Sequence, residues 1–465
     1  MAAESRTAAQ RRLRALLVLA GACCGAAWGL VGMTLLADDT TRALLVPDGQ
    51  WGRNDDLLVP ILLVVALPLG SLLGSPALDR LSRAFGRRPC VMAAAWLLVV
   101  GSLLVVPGLV LLRAAGVVVV GLGTGGFAVV LPKIAHELAA RGHRRLMPRA
   151  WATAPAGAGW VLVGGELSVL ASSAPSGSDA RVGAGVIGAG VALAVLAVVV
   201  LLLAVTLPET PHWHVAQGQL EAAYVALRRM HGTFEAAVGI DWVVLDAGTR
   251  GDQAALSRSD LKIGRVRQTV LAGLLLELVQ ALPLGVAALA LTPVLLWSLT
   301  PVGPLAGLGA EGGVLALAVV WIGIGVCGLA RRYAHRLAYA WILVGTGVSS
   351  CGVILLALTR VLSGVGDVVV LVLASSLAVT GHFVAVVPAC AGGVDPLVPP
   401  WLLRSQRRAV AAICPLVQMA SVGGALLLVA LAPSVEAAVG VVLLAQVLSM
   451  VLALLALPRV LAVLR

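Results

Sequence analysis

Charged and aromatic residues are scarce in this chain of 465 residues. Asp, Glu, Lys and Arg together make up 12% of it and aromatic residues 4%, whereas 60% is hydrophobic. A soluble domain cannot have this composition, because it would have too little polar surface to cover its apolar core. The composition therefore excludes a soluble fold and indicates a protein whose solvent is lipid.

Sequence motifs for chemistry are also lacking. The seven cysteines do not have metal-ligand spacing, the histidines are scattered, and no glycine-rich phosphate loop ends in Lys-Ser or Lys-Thr. We therefore expect no metal, no cofactor, no ATP-driven transport and no enzymatic activity. A membrane enzyme is the weaker alternative, since it would need clustered acids, histidines or metal ligands at one membrane surface.

Long apolar segments alternate with short polar ones along the whole chain. Crossing a hydrocarbon core takes roughly 20 apolar helical residues. These runs lack the two-residue alternation of membrane strands, so they are predicted helices. About twelve segments qualify, approximately 15–36, 57–78, 91–111, 114–136, 152–172, 184–207, 269–292, 312–330, 337–358, 366–388, 409–431 and 434–457. The predicted fold class is an all-α membrane protein.

Basic residues fill every second polar stretch. Loops rich in Lys and Arg stay cytoplasmic, so we predict a protein of the cell inner (cytoplasmic) membrane with both chain ends on the cytoplasmic side. Of 33 Lys and Arg residues, only Arg42, Arg53, Arg113, Arg181 and Arg360 then lie outside. The net charge of +11 is therefore mainly a topology signal with some attraction to anionic lipid. We expect membrane lipids as partners and no nucleic acid.

The longest polar interval divides the chain into two halves. We predict a six-helix bundle over 1–207, a cytoplasmic linker over 208–268 and a second six-helix bundle over 269–465. Two bundles joined in this way are typical of large secondary transporters. Within the linker, 217–232 is predicted to be a short amphipathic helix, with Leu220, Ala223, Tyr224 and Leu227 on its apolar side.

Glycines recur at four-residue spacing in several predicted spans. The pairs are Gly21/Gly25, Gly25/Gly29, Gly70/Gly74 and Gly121/Gly125. Such pairs allow close helix contacts. In a chain with 53 glycines the pattern also fits general tight packing, and both interpretations stay open.

A charged motif follows the second predicted span. It consists of Gly70 and Gly74, then Asp79-Arg80, then Gly86-Arg87-Arg88. A carboxylate between arginines at a helix junction can form an ion-pair and helix-dipole latch that breaks in another conformation. The motif resembles the loop motif of the major facilitator superfamily, with four additional residues, 81–84, between its two parts.

Two further motifs resemble those of the sugar porters within that superfamily. In the fourth span, Gly121, Gly123 and Gly125 precede Pro132 and Glu137, and either Arg141-Gly142 or Arg144-Arg145 stands for the family's Arg-Gly. After the sixth span, Pro208-Glu209-Thr210-Pro211-His212-Trp213 is similar to the family's linker motif. The resemblance implies a major facilitator fold of about 12 transmembrane helices. It also implies a latch formed by Asp79, Arg80, Gly86, Arg87, Arg88, Glu137, Arg144, Glu209, Arg331, Arg332 and Arg407.

The substrate path departs from the family more than the scaffold does. The family's transmembrane arginine would fall on Val117, and the first span has no carboxylate before Asp38. Few amide and aromatic side chains are available in the membrane to hold a sugar.

Ionisable and amide groups within the membrane usually face a cavity, because lipid exposure is costly. We expect Glu277 to carry a coupling proton or bind substrate; a structural carboxyl is the equal alternative. Gln280 lies three residues from it, on the same helix face. The predicted substrate-binding residues are Glu166, Glu277, Gln280, His382 and Gln418.

The predicted function is secondary active or facilitative transport of a sugar or related small organic solute by alternating access. One bundle pair encloses a complete pathway, so a monomer is sufficient. Two alternatives remain: a non-transporting sensor or scaffold, and a transporter of a non-sugar solute such as an organic ion or a drug-like efflux substrate.

Overall fold

The structure is a computed structural model that describes residues 2–36, 58–107, 109–138, 153–172 and 179–251, together with isolated positions beyond residue 320. All regular structure in these ranges is helical. In chain order the helices are α1 (Ala2–Leu36), α2 (Leu58–Ala84), α3 (Arg87–Val105), α4 (Val110–Leu138), α5 (Ala154–Ala171), α6 (Asp179–Thr206), α7 (Pro211–Ala216), α8 (Leu220–His231) and α9 (Thr233–Gly251).

Helices α1 to α6 correspond to the first six predicted spans. Within the described residues, α1, α2, α3, α4 and α6 are long and apolar enough to cross a membrane, and α5 is a shorter apolar helix. Helix α1 begins earlier than its predicted span, at Ala2 rather than residue 15, and the third span, predicted over 91–111, is displaced at both ends. Helix α3 begins earlier, at Arg87, and ends earlier, at Val105, where a turn at residues 106–107 leads into α4.

One apolar core joins these six helices. It contains, among other residues, Leu17 of α1, Leu67 of α2, Leu98 of α3, Phe127 of α4, Val161 of α5 and Leu193 of α6. Lipid is as apolar as these side chains, so van der Waals packing holds such helices together rather than burial from water. Helix shape therefore decides which pairs come close.

Helices α2 and α4 pack against each other through their paired glycines. A Cβ atom at Gly70 would lie 2.1 Å from the Val118 carbonyl oxygen, and one at Gly121 would lie 2.3 Å from the Leu67 carbonyl oxygen. Gly74 and Gly125 meet the opposite backbone in the same way, at 2.2 and 2.3 Å. The four-residue spacing here marks a specific contact between two helices.

The same arrangement joins α1 to α5. A Cβ atom at Gly25 would lie 1.8 Å from the Ala154 carbonyl oxygen, and one at Gly157 would lie 1.8 Å from the Ala22 carbonyl oxygen. Thr153, just before α5, donates its hydroxyl to the Val18 carbonyl at 2.7 Å. Helix α5 is thereby fixed at its first turn and along one side.

The described part of the predicted linker, 208–251, contains three helices where the sequence predicted one. Helix α8 confirms the predicted amphipathic segment, and Arg228 and Arg229 are exposed on it. Leu220, predicted on the apolar side, is instead 53% exposed. The apolar side is formed by Ala223, Ala226, Leu227 and Met230, because it starts one turn later than the pattern indicated.

Candidate functional site

The first turn of α3 is capped by a carboxylate from the distant linker. Glu209 Oε1 accepts the Arg87 backbone N–H at 2.9 Å, and Oε2 accepts the Arg88 N–H at 3.0 Å. The first N–H groups of a helix have no partner within the helix, and its N-terminal end attracts negative charge. Glu209 satisfies both requirements, so the linker is held against the start of α3.

Gly86 makes this approach possible. Its φ angle of 106° lies in the left-handed region, which side chains other than glycine rarely adopt. A Cβ atom at this position would lie 2.4 Å from Glu209 Oε2. The glycine is therefore required both by the backbone turn and by the space that the carboxylate occupies.

Asp79, at the end of α2, is held by two cationic side chains. Arg83 Nη2 lies 2.5 Å from Asp79 Oδ2, and Lys133 Nζ of α4 contacts Asp79 Oδ1. Arg80, the neighbour that the motif pointed to, is exposed. Asp79 and Arg83 are four residues apart on α2 and thus on one helix face, whereas Arg80 points elsewhere. The four additional residues supply Arg83 as a cationic partner for Asp79.

Arg87 connects the α2–α3 junction to α4. Its Nη2 lies 3.3 Å from Glu137 Oε1, and its Nη1 donates to the Ser82 carbonyl at 2.9 Å. The side chains of Arg87 and Glu137 are 13% and 4% exposed, so water screens their charges little. Separating such a pair without new partners would be strongly unfavourable.

We call the group formed by Asp79, Ser82, Arg83, Arg87, Arg88, Lys133, Glu137 and Glu209 the linker-end network. It joins the end of α2, the start of α3, the end of α4 and the segment between α6 and α7. Two further bonds reinforce it: Arg88 donates to the Val205 carbonyl at 2.8 Å, and Trp213 donates to the Arg83 carbonyl at 3.2 Å. These contacts hold helix ends together and are suited to conformational control.

Glu166 lies on α5, far along the chain from this network. It is 6% exposed, and its helix contacts α1 through Val161, α6 through Gly164, and both helices through Gly165. Val169, three residues beyond Glu166 and thus on the same side of α5, also packs against Gly185 of α6. Leu167, one residue further, is 56% exposed. The Glu166 carboxyl group is thus enclosed within the bundle.

The remaining predicted site residues lie outside the described residues, and their roles stay predictions. They are Arg144, Glu277, Gln280, Arg331, Arg332, His382, Arg407 and Gln418. Val117, at the position of the family's transmembrane arginine, is 1% exposed and belongs to the apolar core. In the described part of the chain, no group of three or more His, Cys, Asp or Glu residues could hold a metal ion.

Asp79, Gly86, Arg87, Arg88, Glu137 and Glu209 were predicted as latch residues from three motifs; they lie together in the structure, and their latch role stays a prediction. Sequence reasoning missed Arg83 and the contact of Lys133 with Asp79. One signal was available: Lys133 and Glu137 are four residues apart near the end of an otherwise apolar helix. Two charges on one face at that place indicate partners on a neighbouring helix.

A bundle of apolar helices with charged residues concentrated at the junctions of α2/α3, α4 and α6/α7 defines the class of membrane transporters with the major facilitator fold. A family model described as "Sugar (and other) transporter" matches residues 15–456, and the chain belongs to this family. It is a transporter of small organic solutes. Among curated proteins, none matches the chain.

Solved structures support the same fold at low sequence identity. A partially occluded, inward-open xylose transporter XylE from E. coli is 15% identical, with a TM-score of 0.69 over 95% of this chain and 98% of that one. The proton:xylose symporter XylE bound to 6-bromo-6-deoxy-D-glucose is 16% identical, with a TM-score of 0.66 over 96% of this chain and 95% of that one. A POT family transporter in complex with 5-aminolevulinic acid is 14% identical, with a TM-score of 0.59 over 98% of this chain and 97% of that one.

Proposed function

We propose that this protein transports a sugar or a related neutral metabolite across the cytoplasmic membrane by alternating access of two six-helix bundles, 1–207 and 269–465. The linker-end network is the observation that carries this proposal, since it joins three motif segments at one end of the first bundle. Buried ion pairs that cost energy to separate are suited to hold one end of a pathway closed.

We further propose that the linker end faces the cytoplasm, with both chain ends on that side. The excess of Lys and Arg in the polar stretches of this side supports the orientation. The 208–268 linker would then connect the bundles at the cytoplasmic surface. One bundle pair is sufficient for a pathway, so we propose that a monomer transports.

Glu166 is proposed to line the substrate path. Its burial on α5 supports this role, because carboxyl groups within a membrane protein usually face the bundle interior or a cavity. A carboxyl group can accept hydrogen bonds from sugar hydroxyls. Glu277, with Gln280, Gln418 and His382, is proposed to complete the path from the second bundle, with Glu277 as a carrier of a coupling proton.

Entrance counterflow into proteoliposomes tests the proposal. Liposomes preloaded with unlabelled xylose or glucose should accumulate the labelled sugar. In a separate experiment, sugar added to unloaded proteoliposomes should cause proton uptake, reported by a trapped pH-sensitive dye, if transport is coupled. Counterflow with organic anions or cations alone would favour the non-sugar alternative. Absence of counterflow with a broad metabolite panel, for protein with an intact melting transition, would favour the sensor or scaffold.

Substitutions separate the proposed roles. We expect Glu166→Gln to retain counterflow within a few-fold and Glu166→Leu to reduce it about tenfold or more, because only the former can still hydrogen-bond a hydroxyl. Glu277→Gln should abolish the proton signal. Glu221→Gln, at an exposed position on α8, is the matched control and should behave as the unsubstituted protein. An unchanged proton signal in Glu277→Gln would remove the coupling role.

A further inference from the structure

Gln10 of α1 is a polar residue buried among apolar helices. It is 8% exposed, and its amide Nε2 donates to two carbonyl groups from distant parts of the chain. The Leu138 carbonyl lies at 3.3 Å and the Met230 carbonyl at 3.1 Å. An uncharged side-chain amide can donate both of its N–H groups at once, which few other side chains can do without a charge.

Both acceptors belong to helix C-terminal ends. Leu138 is the last residue of α4, and Met230 is the second-last residue of α8. The last four carbonyls of a helix receive no hydrogen bond from an N–H group of the same helix, and their burial is costly unless another donor reaches them. Gln10 therefore satisfies the ends of two helices and ties the linker helix α8 to the membrane helices α1 and α4.

Packing adds to this connection. Met230 is 1% exposed and belongs to the same apolar core as α1 to α6. Helix α8 also packs against α7, which begins at Pro211, two residues after Glu209. The carboxyl group that caps α3 thus lies between α6 on one side and, on the other, a helix pair that Gln10 contacts through the Met230 carbonyl.

We propose that Gln10 is a positioning residue of the transport cycle. By holding α8 against α1 and α4, it keeps Glu209 at the first turn of α3, so that α7 and α8 move together with the first bundle when the pathway changes sides. This inference rests on the proposed transport function for its effect on turnover. The mechanical link between Gln10, α8 and Glu209 does not depend on the substrate.

Hydrogen–deuterium exchange on the full chain in lipid nanodiscs measures the mechanical link. In Gln10→Met, which keeps the length of the side chain but has no donor, we expect exchange over 220–231 to accelerate about tenfold. The amides at the start of α3 should accelerate as well, because Glu209 is displaced. Gln10→Lys restores donors to both carbonyls and should restore protection. Gln217→Met, at an exposed linker position, is the matched control.

A combined variant tests the route through Glu209. Exchange at the start of α3 should be as fast in Gln10→Met as in Glu209→Gln, and no faster when both changes are present. Unchanged exchange over 220–231, or equal acceleration in all six membrane helices, would overturn the proposal. If Gln10→Met does not fold, Gln10→Asn carries the same test, since its amide is one methylene too short to reach both carbonyls.

Counterflow kinetics measure the effect on turnover. We expect Gln10→Met to lower kcat about three- to tenfold with KM unchanged, because Gln10 contacts no substrate. Gln10→Lys should recover kcat. A raised KM with normal kcat would contradict the positioning role. If no solute gives counterflow, the proposed function fails, whereas altered exchange over 220–231 still supports the link between Gln10 and α8.

Discussion

Gly86 must be glycine for two reasons, its backbone conformation and the lack of space for a side chain. The residue has a φ angle of 106°, and the Glu209 carboxylate occupies the space that a side chain would need. Gly218 offers a natural comparison, since it has a φ angle of 75° but no atom within 4 Å of a Cβ position. The two glycines therefore separate backbone strain from loss of the Glu209 contact.

The first prediction uses this pair. We expect Gly86→Ala to destabilise the protein by about 1–3 kcal/mol of backbone strain and to displace Glu209 in addition. Gly218→Ala should show the strain alone. The melting transition followed by tryptophan fluorescence measures both. Equal losses in the two variants would show that Glu209 does not need the space beside Gly86.

The second prediction concerns Glu209 itself. Glu209→Gln keeps the size of the side chain but leaves one oxygen where two now accept the backbone N–H groups of Arg87, Arg88 and Thr210. It also removes the negative charge at the start of α3. We expect a loss of about 1 kcal/mol in stability and faster hydrogen exchange at Arg87 and Arg88. Glu221→Gln, in the exposed first turn of α8, serves as the control. Unchanged exchange at Arg87 and Arg88 would exclude the capping role.

At the scale of elements, the α2–α4 pair depends on the absence of side chains. Gly70, Gly74, Gly121 and Gly125 bring the two backbones into direct contact along successive turns. Neither α2 nor α4 can gain a Cβ atom at these positions unless the helices move apart. That movement would also separate Asp79 of α2 from Lys133 of α4.

The third prediction follows from this contact. We expect Gly121→Ala to cost about 1–3 kcal/mol, because the added atom would lie 2.3 Å from the Leu67 carbonyl oxygen. Gly32→Ala is the matched control in another membrane helix, where a Cβ atom meets nothing within 4 Å. Melting transitions of the two variants give the comparison. A Gly32→Ala variant as unstable as Gly121→Ala would attribute the loss to glycine replacement in general.

For the whole molecule, the orientation in the membrane decides which side the linker-end network closes. The turn before α4 and the linker helices provide exposed reporter positions at the two ends of the first bundle. Leu109 is 67% exposed at the start of α4, and Gln217 is exposed between α7 and α8. A label that cannot cross the membrane distinguishes them.

The fourth prediction is therefore one of accessibility. We expect Leu109→Cys to react with a membrane-impermeant maleimide in intact cells and Gln217→Cys to react only after permeabilisation. The unsubstituted protein measures the background from its own cysteines. The reverse pattern would place the linker outside and would contradict the positive-inside assignment.

Much of the fold could be predicted from the sequence, because apolar length alone specifies a membrane helix. The first six spans were located in this way and the linker helix α8 by its amphipathic pattern, with errors at helix ends such as those of α3. Those ends depend on contacts that lie far away in the chain. Helix α3 begins at Arg87 because Glu209 caps it, and no local pattern around residue 87 contains that information.

The candidate site, too, could be predicted only in part from the sequence. The residue types of the linker-end network could be recognised in three separate motifs, but the pairing could not. Asp79 binds Arg83 and Lys133, whereas the motif placed Arg80 beside it, because helix periodicity and the α2–α4 approach determine which charges meet. Gln10 had no motif at all, since its two acceptors are backbone carbonyls.

The sequence by itself contains the length of the hydrophobic segments, the distribution of basic residues and the order of motifs. They were sufficient for the helical membrane class and the transporter family. Only the tertiary structure decides which side chains contact which helices. Glu209 reaches α3 and Gln10 reaches α8 only because glycine-mediated packing sets the distances between helices, and backbone atoms carry no sequence signature.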